Sequence, residues 1–285
     1  YEWTDVVLRE CFRNPAPPEA HGFMDGLSVH YYAGVEKGIH KGSATDFDEA
    51  VWFNTLARAL YIEEVLTRHS TIMDTYDPEK KIGMMVDEWG CWHDVEPGTN
   101  PGFLYQQNTM RDALTAGVSL NIFNKHCDRI KMACIAQIVN VLQSVILTEG
   151  KKMLLTPTYH VFHMYKHHQD AELVESWLEG AGKIGLKEQE MVPDVQESVS
   201  VDKDGVLTIT LNNLSPEEDR QMEVVLTKKE PSRIEAKIVR GRMQSYNTFE
   251  EPEQVKEEAF TQIQVTDRGL SFMMPACSVM MIRVK

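Results

Sequence analysis

The hydrophobic period of this chain changes near residue 175, and no motif constrains the fold as strongly. Up to about Glu175, helical patterns alternate with short apolar runs; after about Gly180 the period is two, with turns between the runs. Alternation of helix and buried strand predicts parallel β/α units. A period of two broken by turns predicts antiparallel strands that bury one face. The expected class is therefore α/β plus all-β, with residues 1–175 as β/α units and residues 176–285 as a jelly-roll-like β-sandwich. Length sharpens this: a closed (β/α)8 barrel takes about 250 residues. The first part shows three clear strands, too few to close one, so as a barrel it could only be a partial TIM barrel whose edge strands lack partners.

The individual segments read as follows. Tyr1 to Phe12 predicts a helix, stopped by Pro15, Pro17 and Pro18. Met24 to Tyr32 predicts a strand that runs into a glycine-bearing loop. Thr45 and Asp48 form a capping-box signal before a helix of about twenty residues. There Trp52, Leu56, Ala59, Leu60, Ile62 and Leu66 share one side. Lys81 to Glu88 is a second buried-type strand, Phe103 to Ala116 a helix continuing in helical sequence to about Met132, and Cys134 to Val141 a third apolar run. Beyond Gly180, Ser198–Val201 and Val206–Leu211 flank the turn sequence Asp202-Lys203-Asp204-Gly205, a hairpin signature. Met222–Thr227, Arg233–Arg240, Thr261–Val265 and Ser278–Val284 are further strands.

Composition excludes several functions. With 43 acidic and 29 basic residues the net charge is −14, a field that repels phosphate backbones and anionic lipid but leaves neutral sugars unaffected. Nucleic acid and membrane are therefore not expected partners. No run reaches the ~18–20 apolar residues of a membrane span, and no basic segment with an apolar run behind it opens the chain. Five cysteines at wide spacing, with no CxxC pair, argue against a zinc knuckle or a thioredoxin-type site. Free thiols suit a reducing compartment, which favours the cytoplasm.

Chemistry in parallel β/α folds gathers at the C-terminal ends of strands. Three strand ends qualify: His30-Tyr31-Tyr32, with His30 and Tyr32 on one face; Asp87-Glu88-Trp89-Gly90 with Trp92 and His93; and Gln137 with Asn140 in an apolar run. Glu88 stands out because it caps a run of Ile, Met and Val, so its carboxylate leaves a buried strand beside tryptophans. That arrangement fits a glycosidase nucleophile or general acid. It equally fits a buried ion pair, with Arg58 as a candidate partner. Asp87, one residue earlier, is expected to point the opposite way in a supporting role. His30 and Tyr32 could satisfy buried backbone groups, Trp89 and Trp92 could be core packing, and an amide at Gln137 must find partners. His160, His163 and His167 share a helix-face spacing without a carboxylate among them, which reads as packing rather than a metal site. No metal or other cofactor is expected. Cys127 and Cys134 lack a base partner, and no P-loop, GxGxxG or GxSxG is present.

Several segments resemble family 51 glycoside hydrolases, the α-L-arabinofuranosidases. Asp25-Gly26-Leu27-Ser28-Val29-His30-Tyr31-Tyr32 looks like the sixth barrel strand of that family, and Val86-Asp87-Glu88-Trp89-Gly90-Cys91-Trp92 like its seventh. The stretches Gly117–Asn121 and Ile135–Gln143 resemble its eighth-strand region, and Leu155–Phe162 continues the likeness. Tyr246-Asn247-Thr248-Phe249-Glu250 resembles a motif of its C-terminal sandwich. The resemblance implies a retaining hydrolase that releases terminal α-L-arabinofuranosyl units from arabinan, arabinoxylan or arabino-oligosaccharides. It implies that Glu88 is the nucleophile, that His30 and Tyr32 line the furanose subsite with Tyr32 steadying Glu88, that Gln137 bonds a sugar hydroxyl, and that Trp92 borders the leaving-group side. It also implies a metal-free enzyme that forms oligomers, commonly hexamers.

A retaining glycosidase needs a second carboxyl about 5–5.5 Å from the nucleophile. In this family it lies in an Asn-Glu pair on the fourth strand, and no Asn-Glu dipeptide occurs in the 285 residues. The acid/base and strands one to five are therefore expected outside this chain, which alone should be inactive, with the N-terminal part of the barrel as its partner. Two other functions fit the same residues: a related β-xylosidase or endoglucanase, and a non-catalytic carbohydrate-binding or assembly subunit.

Overall fold

The computed structural model describes residues 1–13, 24–34, 41–187, 191–227 and 231–285. Pro15, Pro17, Pro18 and most of the loop after Tyr32 lie outside the described residues. In chain order the first elements are α1 (Glu2–Arg13), β1 (Gly26–Ala33), α2 (Glu49–Leu60), α3 (Ile62–Tyr76), β2 (Gly83–Cys91), α4 (Met110–Lys125) and β3 (Ile130–Ile135). The hairpin β4 (Ile146–Glu149) and β5 (Lys152–Leu155) and then α5 (Pro157–Tyr165) follow.

The strands β1, β2 and β3 pair side by side in parallel. β2 is central, and Met84, Val86 and Trp89 on it are essentially inaccessible, as expected for a strand covered on both faces. This sheet does not close: among the described residues, β1 and β3 each keep one unpaired edge. The crossover from β1 to β2 is two helices, not the single long one expected. Asp48 caps α2, accepting from the Val51 amide at 2.9 Å, whereas Thr45 donates its own amide to Ser43 and takes no part in the cap. The chain turns at Tyr61 before α3 begins.

Two expectations between residues 103 and 141 are corrected. The helix begins at Met110 rather than Phe103, because Thr109 and Asp112 form a reciprocal capping box there. The third strand is Ile130–Ile135, so the apolar run from Cys134 to Val141 lies mostly beyond it. Ile138 and Val139 are exposed. Apolar runs of this length do not by themselves separate strand from loop.

The remaining strands are β6 (Glu172–Leu173), β7 (Lys183–Ile184), β8 (Val192–Pro193), β9 (Val195–Val201), β10 (Leu207–Asn213), β11 (Arg220–Val225), β12 (Ile234–Arg240), β13 (Glu258–Ala259), β14 (Gln264–Thr266), β15 (Gly269–Met274) and β16 (Ser278–Val284). A six-stranded sheet runs β13-β12-β16-β10-β9-β6, and a three-stranded sheet β11-β15-β14 lies over it. Every pairing in both is antiparallel. Asp202 closes the β9–β10 turn, its carboxylate accepting from the amides of Asp204 and Val206. β15 falls where no strand was expected, and the strand expected at Thr261–Val265 forms at Gln264–Thr266 instead.

The alternation in β9 and β10 has a second meaning. Val195, Ile209 and Leu211 face Phe272 and Met274 in the core between the two sheets. The polar positions face not water but helix α4. Asn121 and Asn212 both donate to Gln196, at 2.7 and 2.9 Å, and Thr210 donates to Asn121 at 2.7 Å. Gly117 is the point of closest approach: a Cβ there would stand 2.3 Å from the Asn212 carboxamide oxygen. The six-stranded sheet is thus a middle layer, with an apolar core on one side and a hydrogen-bonded seam on the other.

His168 belongs to this layer, its two ring nitrogens 2.8 Å from Ser200 Oγ and 3.0 Å from Thr210 Oγ1. Burial pushes its pKa down to about 4, below the ordinary value of 6.5. The unfolded chain then binds a proton that the folded chain refuses between those two values. Stability is expected to be full above about pH 6.5 and to fall as the pH drops toward 4. Denaturant melts of the wild type and a His168→Gln variant across that window should differ in slope, and equal slopes would contradict this role.

Candidate active site

The end of β2 is where the sheet's regularity breaks. Pairing of β1 with β2 shifts register between Ser28 and His30, and pairing of β2 with β3 shifts between Val86 and Trp89. His30 then lies directly opposite Glu88, and Tyr32 opposite Gly90. A shift of this kind suspends strict side-to-side alternation. Asp87 accordingly does not point away as expected: His30 Nε2 is 3.2 Å from Asp87 Oδ1, and His30 Nδ1 is 3.2 Å from Glu88 Oε2. Ser28 donates to the same Asp87 oxygen at 2.7 Å.

Tyr32 completes the cluster by donating its hydroxyl to Glu88 Oε1. Burial, reinforced by that hydrogen bond, pushes the Tyr32 hydroxyl well above its ordinary range, so it holds its proton and acts as a donor. The Trp92 ring meets Tyr32 edge-on at 5.1 Å between centroids, and Lys41 Nζ sits 3.6 Å above Trp92. His30, Asp87 and Glu88 remain partly open, with side-chain exposures of 50, 36 and 38%. A ligand could reach all three. Among the described residues no ion pair joins Glu88 to Arg58; Arg58 instead accepts the Tyr31 hydroxyl on its carbonyl at 2.7 Å.

The two tryptophans divide by role. Trp89 is in the core, stacked on Phe162 at 5.9 Å and edge-on to Phe123 at 5.1 Å, so it anchors the strand behind Glu88. Trp92 joins the open cluster. Gln137 stands apart from that cluster: it is exposed, and its backbone amide donates to Val141 at 3.1 Å. The link runs through its neighbour, since the Ala136 amide donates to the Trp89 carbonyl at 3.0 Å.

A buried polar clamp holds the strand end from below. Gln143 accepts the Cys91 amide at 2.5 Å and donates to Asn108 and Asp112, at 2.5 and 3.0 Å. Gln106 accepts the His93 amide at 2.8 Å and donates to the Cys91 carbonyl at 3.3 Å. His93 Nε2 lies 3.0 Å from Asp112. Gly90, at φ +138°, lets Gln143 approach so closely that a Cβ would stand 2.8 Å from it. Cys91, His93 and Asp112 each place a donor atom within 4.8 Å of the others. That set does not suit a metal, because burial keeps the Cys91 thiol protonated and Arg111 Nη2 already lies 3.0 Å from His93 Nε2. Burial opposes ionisation of Asp112, but His93 and Arg111 hold its pKa low, making Arg111 its counter-charge.

Sequence reasoning missed the clamp and the Asp87 contact. The capping pair Thr109 and Asp112 was a usable signal for the start of α4, but nothing local marks Gln143 as the group that binds the strand end. The His160, His163 and His167 spacing holds no donor cluster among the described residues. His163 pairs at 2.8 Å with Glu257, a carboxylate distant in sequence.

Comparison with known proteins extends these observations. The alpha-L-arabinofuranosidase C-terminal domain matches residues 87–278. An intracellular exo-alpha-L-arabinofuranosidase of Bacteroides ovatus is 42% identical over the whole chain, which spans 54% of that protein. The crystal structure of the GH51 arabinofuranosidase from Xanthomonas axonopodis pv. citri superposes with a TM-score of 0.92 at 43% identity, covering all of this chain and 56% of that one. An alpha-L-arabinofuranosidase from Thermotoga maritima, at 21% identity and a TM-score of 0.77 over 99% of this chain, shares the fold. The chain spans about half the length of the relatives it matches most fully. With matched segments that run through Glu88 and into the final strand, it belongs to the family 51 α-L-arabinofuranosidases, as their C-terminal portion.

Proposed function

We propose that this chain supplies the nucleophile half of a retaining α-L-arabinofuranosidase that removes terminal arabinofuranosyl units from arabinan, arabinoxylan or arabino-oligosaccharides. The observation that carries the reading is the setting of Glu88. One carboxylate oxygen accepts the Tyr32 hydroxyl, and the other lies beside His30 with the carboxylate open to solvent. In the proposed reaction Glu88 attacks the anomeric carbon as the glycosidic bond breaks, forming an arabinosyl ester, and water later displaces Glu88. Tyr32 orients the attacking group, His30 and Gln137 contact the furanose, and Trp92 borders the leaving group. Asp87, fixed by Ser28, positions His30.

The proton for the leaving group must come from a second carboxyl that these residues do not provide. Residues 1–175 are accordingly read as the last three β/α units of a (β/α)8 barrel, and residues 176–285 as the jelly-roll-like sandwich beside it. The remaining strands, with the acid/base, complete the site. A homo-oligomer, commonly a hexamer in this family, and a cytoplasmic location accompany this reading; no helix of the described residues is long and apolar enough to cross a membrane.

Mass spectrometry tests it directly. The enzyme assembled with its remaining strands, treated with a 2-fluoro-arabinofuranosyl inactivator, should carry one sugar adduct on the peptide holding Glu88. The 285-residue chain alone should neither react nor turn over an aryl arabinofuranoside. An adduct elsewhere, turnover by the isolated chain, or preference for a xyloside or glucoside across a nitrophenyl panel would each overturn part of this assignment.

A further inference from the structure

Lys41 brings a positive charge to the open cluster around Glu88, yet no carboxylate of the described residues forms an ion pair with it. Its ammonium nitrogen stands 3.6 Å from the centroid of the half-buried Trp92 ring instead. A cation on an indole face is held by the ring quadrupole, and more firmly where it has given up water. Lys41 has given up some: burial lowers its pKa, with the charge of Asp94 working the other way.

The backbone that carries Lys41 is fixed to the end of β2 and to the clamp beneath it. Two residues past Trp92, the Asp94 amide donates to the Gly42 carbonyl at 2.9 Å. Arg111, which also lies beside His93, donates through Nη2 to the carbonyls of Ser43 and Ala44 at 3.1 and 3.2 Å. Ala44 is buried, and Gly42 turns the chain at φ +78°, a left-handed conformation that glycine adopts without strain. Lys41 therefore starts from an anchored backbone, and bringing its ammonium onto the ring costs only side-chain freedom.

Trp92 in turn meets the Tyr32 ring edge-on at 5.1 Å between centroids, and Tyr32 donates to Glu88 Oε1. We propose that Lys41 is a positioning residue for glycosidic bond cleavage: its ammonium holds Trp92 against Tyr32, and so holds the hydroxyl that orients Glu88. The inference rests on the arabinofuranosidase reading above. The ammonium also occupies one face of the indole, so a leaving group meets the ring on its other face or at its edge. Two aromatic rings stand between Lys41 and Glu88 in this chain of contacts, so its effect is transmitted by packing, and any cation that fits the ring should serve.

The test is a double-mutant cycle in the assembled enzyme, read as kcat/KM on arabinobiose, with Trp92→Ala as the second substitution. Lys41→Met keeps the apolar stem and removes the charge, and it is expected to lower kcat/KM about tenfold. Lys41→Arg should restore it to within about threefold, since a guanidinium also sits on an indole face. In the Trp92→Ala background, Lys41→Met should cost less than about twofold, because the ring through which Lys41 acts is gone. A loss there as large as in the parent, a Met variant as active as the parent, or an Arg variant as poor as the Met variant would overturn the role. If the parent cleaves no arabinofuranoside, the functional reading falls, and a crystal structure of the Lys41→Met enzyme decides the contact. Trp92 turned away from Tyr32 keeps it, and an unmoved ring removes it.

Discussion

Replacing Glu88 by glutamine is expected to lower kcat of the assembled enzyme on an aryl arabinofuranoside by about four orders of magnitude. The amide has nearly the shape of the carboxylate and can still accept the Tyr32 hydroxyl, so the local geometry should persist. It lacks the charge that stabilises an oxocarbenium-like centre and the oxygen nucleophile that traps it. Since Glu88 is half-exposed and outside the core, the melting temperature should stay within a few degrees of wild type. Loss of kcat with an unchanged melting temperature separates a chemical role from a structural one. If more than about a tenth of the activity survived, Glu88 would not be the nucleophile.

The second large effect lies at the other end of the same strand. Arg129, 1% exposed in its side chain, donates to Asp77 Oδ2 at 2.8 Å, to the Asp77 carbonyl at 2.8 Å and to the Ile82 carbonyl at 2.9 Å, and it also pairs with Asp74. Asp77 accepts the amides of Ile82 and Lys81 at 2.7 and 3.1 Å, which sets the chain's entry into β2. Burial works against its charge, but those amides and Arg129 hold the Asp77 pKa below the ordinary carboxylate value. Arg129→Ala removes the counter-charge and leaves Asp77 buried, at an expected cost of about 3–5 kcal/mol in denaturant unfolding. Arg129→Met combined with Asp77→Asn should cost less, because both charges go together while the amide oxygen can still accept the Ile82 amide. A single substitution that cost under about 1 kcal/mol would show the network to be dispensable.

Both sites sit on β2, and they illustrate what a local pattern can and cannot carry. The strand itself was legible because Ile82, Met84, Met85 and Val86 form an apolar run ending in acid residues. β16, expected at Ser278–Val284, forms with those bounds because its apolar run is short, buried almost throughout and paired on both sides. The third parallel strand was misplaced, since Cys134 to Val141 is as apolar as the strand before it while only its first residues pair. Likewise the polar residues of β9 and β10 alternate as if facing water, and a helix covers them instead.

By itself, the sequence determined the switch from parallel to antiparallel organisation, the strand that carries Glu88, and the family. Each of these is written in a short window of side chains, where burial imposes a period and a motif keeps its spacing. Only the tertiary structure decided that His30 lies between Asp87 and Glu88, that Gln143 clamps the strand end, and that Arg111 holds the carbonyls of Ser43 and Ala44. The physical reason is register: a one-residue irregularity between paired strands turns side chains toward new neighbours, and contacts across 52 or more residues leave no trace in any local window.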